Sequence, residues 1–366
     1  SSVYFNHQEQ LELKSQAISS ALKDEDLSIL TKLGISRGGF VNHSLRRSCW
    51  RRILSTSMQI ELDCDYDVSL EPHKDEHQVS LDVKRSFGGI KDIQKKETLR
   101  QILERTIVRL LRKYRQLNYY QGYHDVVAIF ILVFLEEHGN EEDLSTSDLT
   151  SRDSDSSDHE NLSNSSTSTK MSDDFSIEVD EDGLFRVLEV FTLIHLRDFL
   201  MNSLDFALDQ LNIIPLLIKD RDSAFYKKFQ LDSVEPFFAI SSILTIFSHD
   251  LKSQNSPDDL IFQIFDMVIS SQSMTVPLII YSHLLLENKR MLTEKYNDSI
   301  DNFENATDLV HGVFQQVMLC EQDPKVWSEV LDKARIAIED TPHNMPQLLN
   351  RFSVILTTSK PRAIPF

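Results

Sequence analysis

Glycine and proline are scarce in this sequence, with only 9 and 10 among 366 residues. Antiparallel sheets depend on turns rich in these residues, and no series of short strands bounded by Gly-rich turns is visible. Cysteine is rarer still: Cys49, Cys64 and Cys320 are odd in number and far apart. Neither a disulfide framework nor a metal-binding spacing follows, so we predict a reducing compartment.

Long apolar segments are also missing. A helix needs roughly 20 apolar residues to cross a bilayer, and no stretch of the chain reaches that length. A run of ten apolar residues at 126–135 is too long for a surface loop and fits a buried helix. Motifs for nucleotide binding or for hydrolysis by the chain itself are likewise missing. No P-loop, G-x-G-x-x-G, G-x-S-x-G or kinase signature occurs.

The net charge of −19 is concentrated in one segment. Residues 136–182 contain 16 acidic side chains against Arg152 and Lys170, which leaves −5 for the rest of the chain. No basic stripe with interleaved aromatic residues occurs, so we predict no nucleic-acid partner. Residues 136–183 are rich in Ser, Thr, Asp and Glu and have almost no apolar side chains, which predicts a disordered acidic insertion.

Helical periodicity dominates on both sides of this insertion. Residues 5–33 predict two helices, 45–60 a third, and 97–117 an amphipathic helix. After the insertion, 184–208 predicts one long helix, and further helical segments continue to about residue 356. We therefore predict an all-α protein with a helical subdomain at 1–135, the insertion at 136–183 and a second helical subdomain at 184–366.

One polar and aromatic stretch, N-Y-Y-Q-G-Y-H-D at 118–125, directly precedes the ten-residue apolar run. We predict a helix whose first turn carries Gln121, Gly122 and Asp125. Its unpaired N–H groups and positive dipole end would suit a phosphate, and Gly122 would let another backbone approach closely. From these residues alone, a tyrosine-rich helix start with satisfied hydroxyls is an equally good interpretation.

Two further residue pairs stand out upstream. Arg46 and Trp50 are four apart on one helical face, where an Arg stem packed on an indole ring would stabilise a core edge. Asp82 and Arg85 are three apart at a predicted helix end before Gly88–Gly89, which by itself indicates a local salt bridge.

A metal site at His73 and His77 is disfavoured. Their spacing matches a helical metal pair, but the H-E-x-x-H motif needs Glu where this chain has Lys74.

Taken together, three motifs resemble a known family. Arg46-x-x-x-Trp50, Val79-x-x-Asp82-x-x-Arg85 and Tyr119-x-Gln121, in this order, resemble the signature motifs of TBC domains, the helical GTPase-activating proteins for Rab GTPases. The stretches at 77–86 and 118–125 resemble an endoplasmic-reticulum-associated branch that includes fungal members acting on the early secretory Rab. Two departures are Val79, where the family usually has Ile, and a missing Trp in the segment 237–247.

The resemblance implies roles for these residues. Arg85 would be an arginine finger and Gln121 a glutamine finger, both inserted into the GTPase. Asp82 would hold Arg85, while Tyr119, Tyr120, Gly122 and Asp125 would support the loop that carries Gln121. Arg46 and Trp50 would be structural.

The resemblance also implies partners and a location. The partner would be a Rab-family GTPase in its GTP form, and GTP and Mg²⁺ would belong to that partner, so we expect no cofactor of the chain's own. The activity would regulate traffic from the endoplasmic reticulum to the Golgi. We expect a cytoplasmic protein at the periphery of these membranes, recruited by the Rab or by a C-terminal membrane anchor of the kind that relatives in this branch often carry, which this chain lacks or before which it has been cut.

Two other functional classes remain open at this stage. One is a non-catalytic Rab-binding scaffold, and the presence of both Arg85 and Gln121 argues against it, because a binder can lose either residue. The other is an unrelated helical adaptor, which would require the order of the three motifs to be chance.

Overall fold

The computed structural model describes residues 7–56, 68–138, 176–251, 256–320 and 323–340. Within these ranges nearly all regular structure is helical, which confirms the predicted all-α class. The α-helices are α1 His7–Lys23, α2 Leu27–Ile35, α3 His43–Thr56, α4 Glu76–Val83, α5 Ile93–Lys113, α6 Tyr123–Phe134, α7 Glu181–Phe191, α8 Asp205–Leu211, α9 Ile213–Arg221, α10 Ser223–Lys228, α11 Ile240–Leu244, α12 Leu260–Ser271, α13 Thr275–Glu287, α14 Lys289–Ser299, α15 Ala306–Cys320 and α16 Pro324–Asp340. Short 3₁₀ turns lie at Arg197–Leu200, Pro236–Ala239 and Ile300–Asn302.

Several helices begin where the sequence places an aspartate. The carboxylates of Asp26, Asp92, Asp180 and Asp222 each accept a backbone N–H three residues further on. Such a cap satisfies one of the donors left unpaired at a helix start and stabilises the helix by about 1 kcal/mol. None of the helices in the described ranges has the length and apolarity that crossing a bilayer requires.

The insertion is narrower than the sequence predicted. Residues 139–175, its central part, lie outside the described residues. At its two ends, β1 Leu135–His138 pairs antiparallel with β2 Ser176–Val179, so that Leu135 lies opposite Val179. Residues 136–138 and 176–183 therefore belong to the fold, which corrects the predicted boundaries at 136 and 183.

Ion pairs fix the acidic end of this segment to the first half of the chain. Asp180 contacts Arg51 of α3 at 3.0 Å, and Glu181 and Asp182 contact Arg105 and Arg109 of α5 at 2.7 and 2.8 Å. Composition alone could not separate these acids from those of the insertion, because their partners lie more than 70 residues away in sequence.

The predicted single helix at 184–208 is wrong. α7 ends at Phe191, and the chain continues as a π-helical turn, Thr192–Leu196, and then as a 3₁₀ turn. The Thr192 hydroxyl lies 2.7 Å from the Tyr123 hydroxyl, and the Leu200 carbonyl accepts the Asn118 N–H at 2.8 Å. These contacts with a distant loop shape the segment, and hydrophobic periodicity contains no information about them.

A buried carboxylate, Asp266 on α12, joins three elements of the core. Its Oδ2 accepts from Arg46 Nε and from the Phe40 backbone N–H, each at 2.9 Å, and its Oδ1 accepts from Trp50 Nε1 at 2.9 Å. Arg46 and Trp50 lie on one face, as predicted, and the Arg46 guanidinium lies over the Phe262 ring, 5.4 Å from its centroid.

Helices from both predicted subdomains contribute to one hydrophobic cluster. α12 lies against α2 and α3, and α6 contacts α3, α5 and α7. The division of the chain into two helical subdomains stays a prediction.

The start of α6 differs in detail from the predicted helix. Gln121 precedes it, Gly122 is its N-cap with φ +113°, and Asp125 lies in its first turn. A Cβ on Gly122 would lie 2.8 Å from the Thr245 Cγ2 methyl. Gly122 is therefore required both for a left-handed backbone conformation and for the close approach of a side chain, where the sequence had predicted the approach of a backbone.

The Asp266 cluster predicts a large effect on stability. Asp266→Ala should lower the free energy of unfolding by about 3–5 kcal/mol, because it leaves the Arg46 guanidinium buried and unpaired. Urea denaturation measures the change. Glu294→Ala, which removes an exposed ion pair with Arg290, is the control and should have a much smaller effect; equal effects of the two substitutions would contradict the assignment.

The Gly122 geometry predicts a partial rescue. Gly122→Ala should destabilise the protein by about 1–3 kcal/mol through backbone strain and the contact with Thr245. Adding Thr245→Ser removes the methyl and keeps the hydroxyl that donates to the Ser241 carbonyl. Chemical denaturation should show recovery of only part of the loss, and full recovery would mean that the left-handed backbone contributes no strain.

Candidate functional site

Arg85 lies in the turn that follows α4, and a buried carboxylate holds it. Its Nη2 donates to Oδ1 of Asp82, whose side chain is fully buried, while 62% of the Arg85 side chain remains exposed. The local salt bridge that the spacing indicated is therefore present. Because only one edge of the guanidinium contacts Asp82, the rest of its planar fork faces solvent.

Asp82 receives two further donors. Gln78 Nε2, one turn earlier on α4, donates to Oδ1 at 3.1 Å, and the Tyr119 hydroxyl donates to Oδ2 at 2.8 Å. A buried carboxylate needs such partners to stay ionised. Together the three donors fix the carboxylate plane, and the carboxylate in turn orients Arg85.

The turn that carries Arg85 is held from a second side. Arg100 of α5 donates from Nε to the Ser86 carbonyl at 3.1 Å, and the Ser86 hydroxyl donates to the Asp82 carbonyl at 3.3 Å. Phe87 adopts a left-handed φ of 59°, which is uncommon for a bulky residue. The backbone leaves α4 sharply at this point and exposes Arg85.

Gln121 lies on a loop that is anchored by its two tyrosines. The Tyr119 N–H donates to Asp75 Oδ2 at 2.9 Å, and the Tyr120 hydroxyl donates to the Leu244 carbonyl at 2.8 Å. Gln121 itself is exposed, and we find no hydrogen-bond partner for its side chain among the described residues. A fixed backbone thus presents an amide whose donors and acceptor face solvent.

Asp125 closes the site on the side of α6. Its Oδ2 lies 3.2 Å from Nδ1 of His249, and its Oδ1 lies 3.4 Å from Nε2 of His124. His249 comes from the segment after α11, so Asp125 joins the start of α6 to that segment. The sequence predicted a supporting role for Asp125 but gave no partner for it.

Burial shifts the titration of two groups in this cluster. It raises the pKa of Tyr119 far above its usual value, and the bond to Asp82 adds to the effect. Burial also lowers the pKa of His124, although Asp125 and Asp82 act in the opposite direction. At neutral pH, Tyr119 is therefore a hydrogen-bond donor and His124 is a neutral imidazole.

Arg85 and Gln121 line one open groove of about 560 Å³. Its walls also include Tyr120, Gly122, His124, Asp125 and His249 and, on the far side, Leu204, Ile240, Ser241, Leu244 and Thr245. A second groove of about 490 Å³ lies beside it and shares Arg85 and Asp125. Arg85 thus lies between the two grooves, where a large partner can reach its side chain.

The structure brings together seven of the nine residues singled out from the sequence. Arg85, Gln121, Asp82, Tyr119, Tyr120, Gly122 and Asp125 form the groove and its supports. Arg46 and Trp50 instead surround Asp266 in the core.

Four residues that support the groove or the core were not predicted from the sequence. Gln78, His124 and His249 support the groove, and Asp266 holds Arg46 and Trp50. Gln78 and Asp82 have the i, i+4 spacing of a helical pair, which was an available signal. Nothing in the spacing of the other three residues identifies their partners.

His73 makes hydrogen bonds within the fold. Its Nδ1 accepts the Asp75 N–H at 3.2 Å, so its Nε2 carries the proton and donates to the Leu117 carbonyl at 3.0 Å. No group of three or more His, Cys, Asp or Glu side chains that could hold a metal ion occurs within the described residues.

The arrangement is suited to acting on a phosphate held by another molecule. An exposed guanidinium fork can bind phosphate oxygens in two places, and an exposed amide can orient a water molecule.

Comparisons with known proteins agree with this geometry. Residues 43–293 match the model of the Rab-GTPase-TBC domain. The chain is 42% identical over 355 residues to the GTPase-activating protein GYP8 of Saccharomyces cerevisiae, covering 95% of this chain and 67% of that protein. It is 26% identical to the GTPase-activating protein gyp10 of Schizosaccharomyces pombe, covering 82% of this chain and 66% of that protein.

A human protein is similar over a shorter part of the chain. Identity to human TBC1 domain family member 20 is 27%, covering 65% of this chain and 49% of that protein. The chain therefore spans between about half and two thirds of the length of these relatives. The matched domain includes Arg85, Gln121 and every residue that supports them. The chain belongs to the Rab-GTPase-TBC domain family.

Proposed function

We propose that this chain is a GTPase-activating protein for a Rab-family GTPase in its GTP form, and that it supplies Arg85 and Gln121 to the partner's active site. The observation that carries the proposal is that both side chains are exposed in one groove while the Asp82 carboxylate that holds Arg85 is fully buried. The names of two fungal relatives, both GTPase-activating proteins, point to the same activity.

A comparison of two arginines within the chain separates structural from functional use. The Arg46 and Asp266 side chains are both fully buried, and Arg46 also donates to the Pro257 carbonyl at 2.7 Å. Its guanidinium cannot reach a partner protein. Arg85 has an equally buried carboxylate partner but is itself mostly exposed. Asp82 therefore aims Arg85 outward, where Asp266 holds Arg46 in the core.

The reaction explains why an exposed arginine is needed. Phosphoryl transfer from GTP develops charge on the transferring group and on the leaving oxygens, and a GTPase alone neutralises this charge slowly. A guanidinium positioned beforehand stabilises that charge without reorganising during the reaction. GTP and Mg²⁺ would be bound by the Rab, and the chain would contribute side chains only.

Gln121 would orient the attacking water. Its amide can accept one hydrogen bond from the water and donate another, which fixes the direction of attack. The loop backbone cannot move easily, because Tyr119 and Tyr120 anchor it to Asp75 and Leu244. The side chain would therefore enter the partner's site in a defined direction.

The proposed cellular setting rests on the motifs at 77–86 and 118–125. We propose regulation of traffic between the endoplasmic reticulum and the Golgi by a cytoplasmic protein at the membrane periphery, recruited through the Rab or through an anchor at the C-terminal end. A fluorescent fusion of the full-length protein tests this; a uniform distribution that does not change with Rab abundance would contradict it.

Arg85 should be required for catalysis and almost dispensable for folding. Arg85→Ala should lower the stimulated hydrolysis rate by about 10³- to 10⁵-fold. Arg85→Lys should also fail, since a point charge does not reproduce the fork. Phosphate release from a panel of GTP-loaded Rabs measures the rates.

The matched control for Arg85 is Arg290→Ala, which removes another exposed arginine from an ion pair on its own helix. It should keep full activity. If Arg85→Ala stays active but melts at a lower temperature, Arg85 is only a structural partner of Asp82. If the wild-type chain binds GTP-loaded Rab and stimulates nothing, the chain is a Rab-binding scaffold.

Gln121 should replace the Rab's own catalytic glutamine. Gln121→Ala should lower the stimulated rate by about 10²-fold or more while Rab binding is retained, because its contact matters mainly in the transition state. A Rab with its own glutamine changed to Leu should still be stimulated by the wild-type chain. Single-turnover phosphate release from the crossed pairs measures both effects.

Gln116→Ala, at an exposed position five residues before Gln121, serves as the control and should be silent. A chain that supplied Arg85 alone would give the opposite pattern: Gln121→Ala would be nearly silent and the mutant Rab would not respond.

A further inference from the structure

The His124 side chain contacts the supports of both exposed residues. Its Nδ1 accepts the Gly122 N–H at 3.3 Å, directly beside Gln121. The same Nδ1 lies 3.1 Å from the Tyr119 hydroxyl and 3.7 Å from Asp82 Oδ2, the carboxylate that holds Arg85. Only 10% of the His124 side chain is exposed, so its position is set by the protein.

The neighbours of His124 determine where its proton lies. A backbone N–H can only donate, so the bond from Gly122 requires an unprotonated Nδ1. A carboxylate can only accept, so Asp125 Oδ1, 3.4 Å from Nε2, favours a proton at Nε2. The Tyr119 hydroxyl gives its proton to Asp82 Oδ2, so its oxygen faces Nδ1 with lone pairs only, and the 3.1 Å contact between them is not a hydrogen bond in this tautomer. The Gly122 and Asp125 contacts therefore select the neutral tautomer that is protonated at Nε2.

We propose that His124 is a positioning residue for both fingers of the site. It fixes the Gly122 backbone that carries Gln121, and it packs against the Tyr119–Asp82 pair that directs Arg85. Removing the imidazole removes contacts to the supports of both Arg85 and Gln121, whereas removing Arg85 or Gln121 itself affects only one of the two. This inference rests on the proposed activity, and it adds a role for a residue to which that activity assigns none.

Three substitutions at this position separate the contacts. His124→Leu removes both ring nitrogens and keeps an apolar side chain of similar reach. His124→Asn places an amide oxygen near the position of Nδ1 and so keeps an acceptor for Gly122. His124→Gln places an amide near the position of Nε2 and so keeps the group that faces Asp125 but not the acceptor.

The expected result is a loss of maximal rate without a loss of binding. His124→Leu should lower the stimulated single-turnover rate at saturating activator by about 10- to 100-fold, the range known for misplaced catalytic groups and their supporting residues. The activator concentration that gives half of the maximal rate should change by less than about two-fold, because the His124 side chain is nine-tenths buried and the other residues that line the groove are unchanged. His124→Asn should recover most of the rate, and His124→Gln should recover little.

Two patterns would overturn the proposal. One is a His124→Leu variant with the wild-type rate. The other is a His124→Asn variant that is as slow as His124→Leu while both melt like the wild type, because then the acceptor at Nδ1 is not what matters. If His124→Leu fails to fold, the comparison of Asn with Gln decides between the same outcomes.

A second measurement does not depend on any Rab. Nitrogen-15 spectra of the histidine side chains at neutral pH, assigned by the signal that disappears in His124→Asn, should show a proton at Nε2 of His124 and none at Nδ1. A proton at Nδ1 would overturn the proposed contact with Gly122. If the tautomer is as expected and no Rab is stimulated, the proposed activity fails while the hydrogen bond stands.

Discussion

The Asp82 carboxylate is the constraint on which the exposed part of the site depends. It is fully buried and accepts from Arg85, Gln78 and Tyr119, so a side chain on α4 and a side chain on the 118–122 loop end at the same two oxygens. Burying a carboxylate costs free energy unless every hydrogen-bond donor to its oxygens is in place. The position of Arg85 is therefore tied to the position of the loop that carries Gln121, although the two residues are 36 apart in sequence.

A second buried carboxylate shows what the first does differently. Asp266 accepts from Arg46, Trp50 and the Phe40 backbone, and all of its side-chain partners are buried. That cluster joins α3 to α12 across more than 200 residues and stabilises the frame. Asp82 accepts the same kind of hydrogen bonds just below the surface, and the side chain of one of its donors, Arg85, stays mostly exposed. Identical residue types thus stabilise the core in one place and, on the proposed function, act in a partner's chemistry in the other.

The sequence predicted the helical class and a helix that begins near Gly122, because periodicity and local spacing carry that information. It placed Arg46 and Trp50 on one face correctly and missed Asp266, since a contact across 220 residues leaves no local pattern. It also missed the π-helical turn after α7, where Thr192 contacts Tyr123 69 residues away in sequence. His124 has no predicted role of its own, because that role depends on a tautomer that Gly122 and Asp125 select in the folded chain.

We propose that Arg85 and Gln121 enter a partner's nucleotide site while Asp82 and His124 stay in place beneath them. A crystal structure of this chain with a Rab bound to GDP, Mg²⁺ and aluminium fluoride, which stands in for the transferring phosphoryl group, tests this. We expect the Arg85 guanidinium to contact the fluoride and the leaving oxygen, and the Gln121 amide to contact the water in line with the metal fluoride. A complex in which either side chain remains outside the nucleotide site, with the Rab's own glutamine on that water, would contradict it.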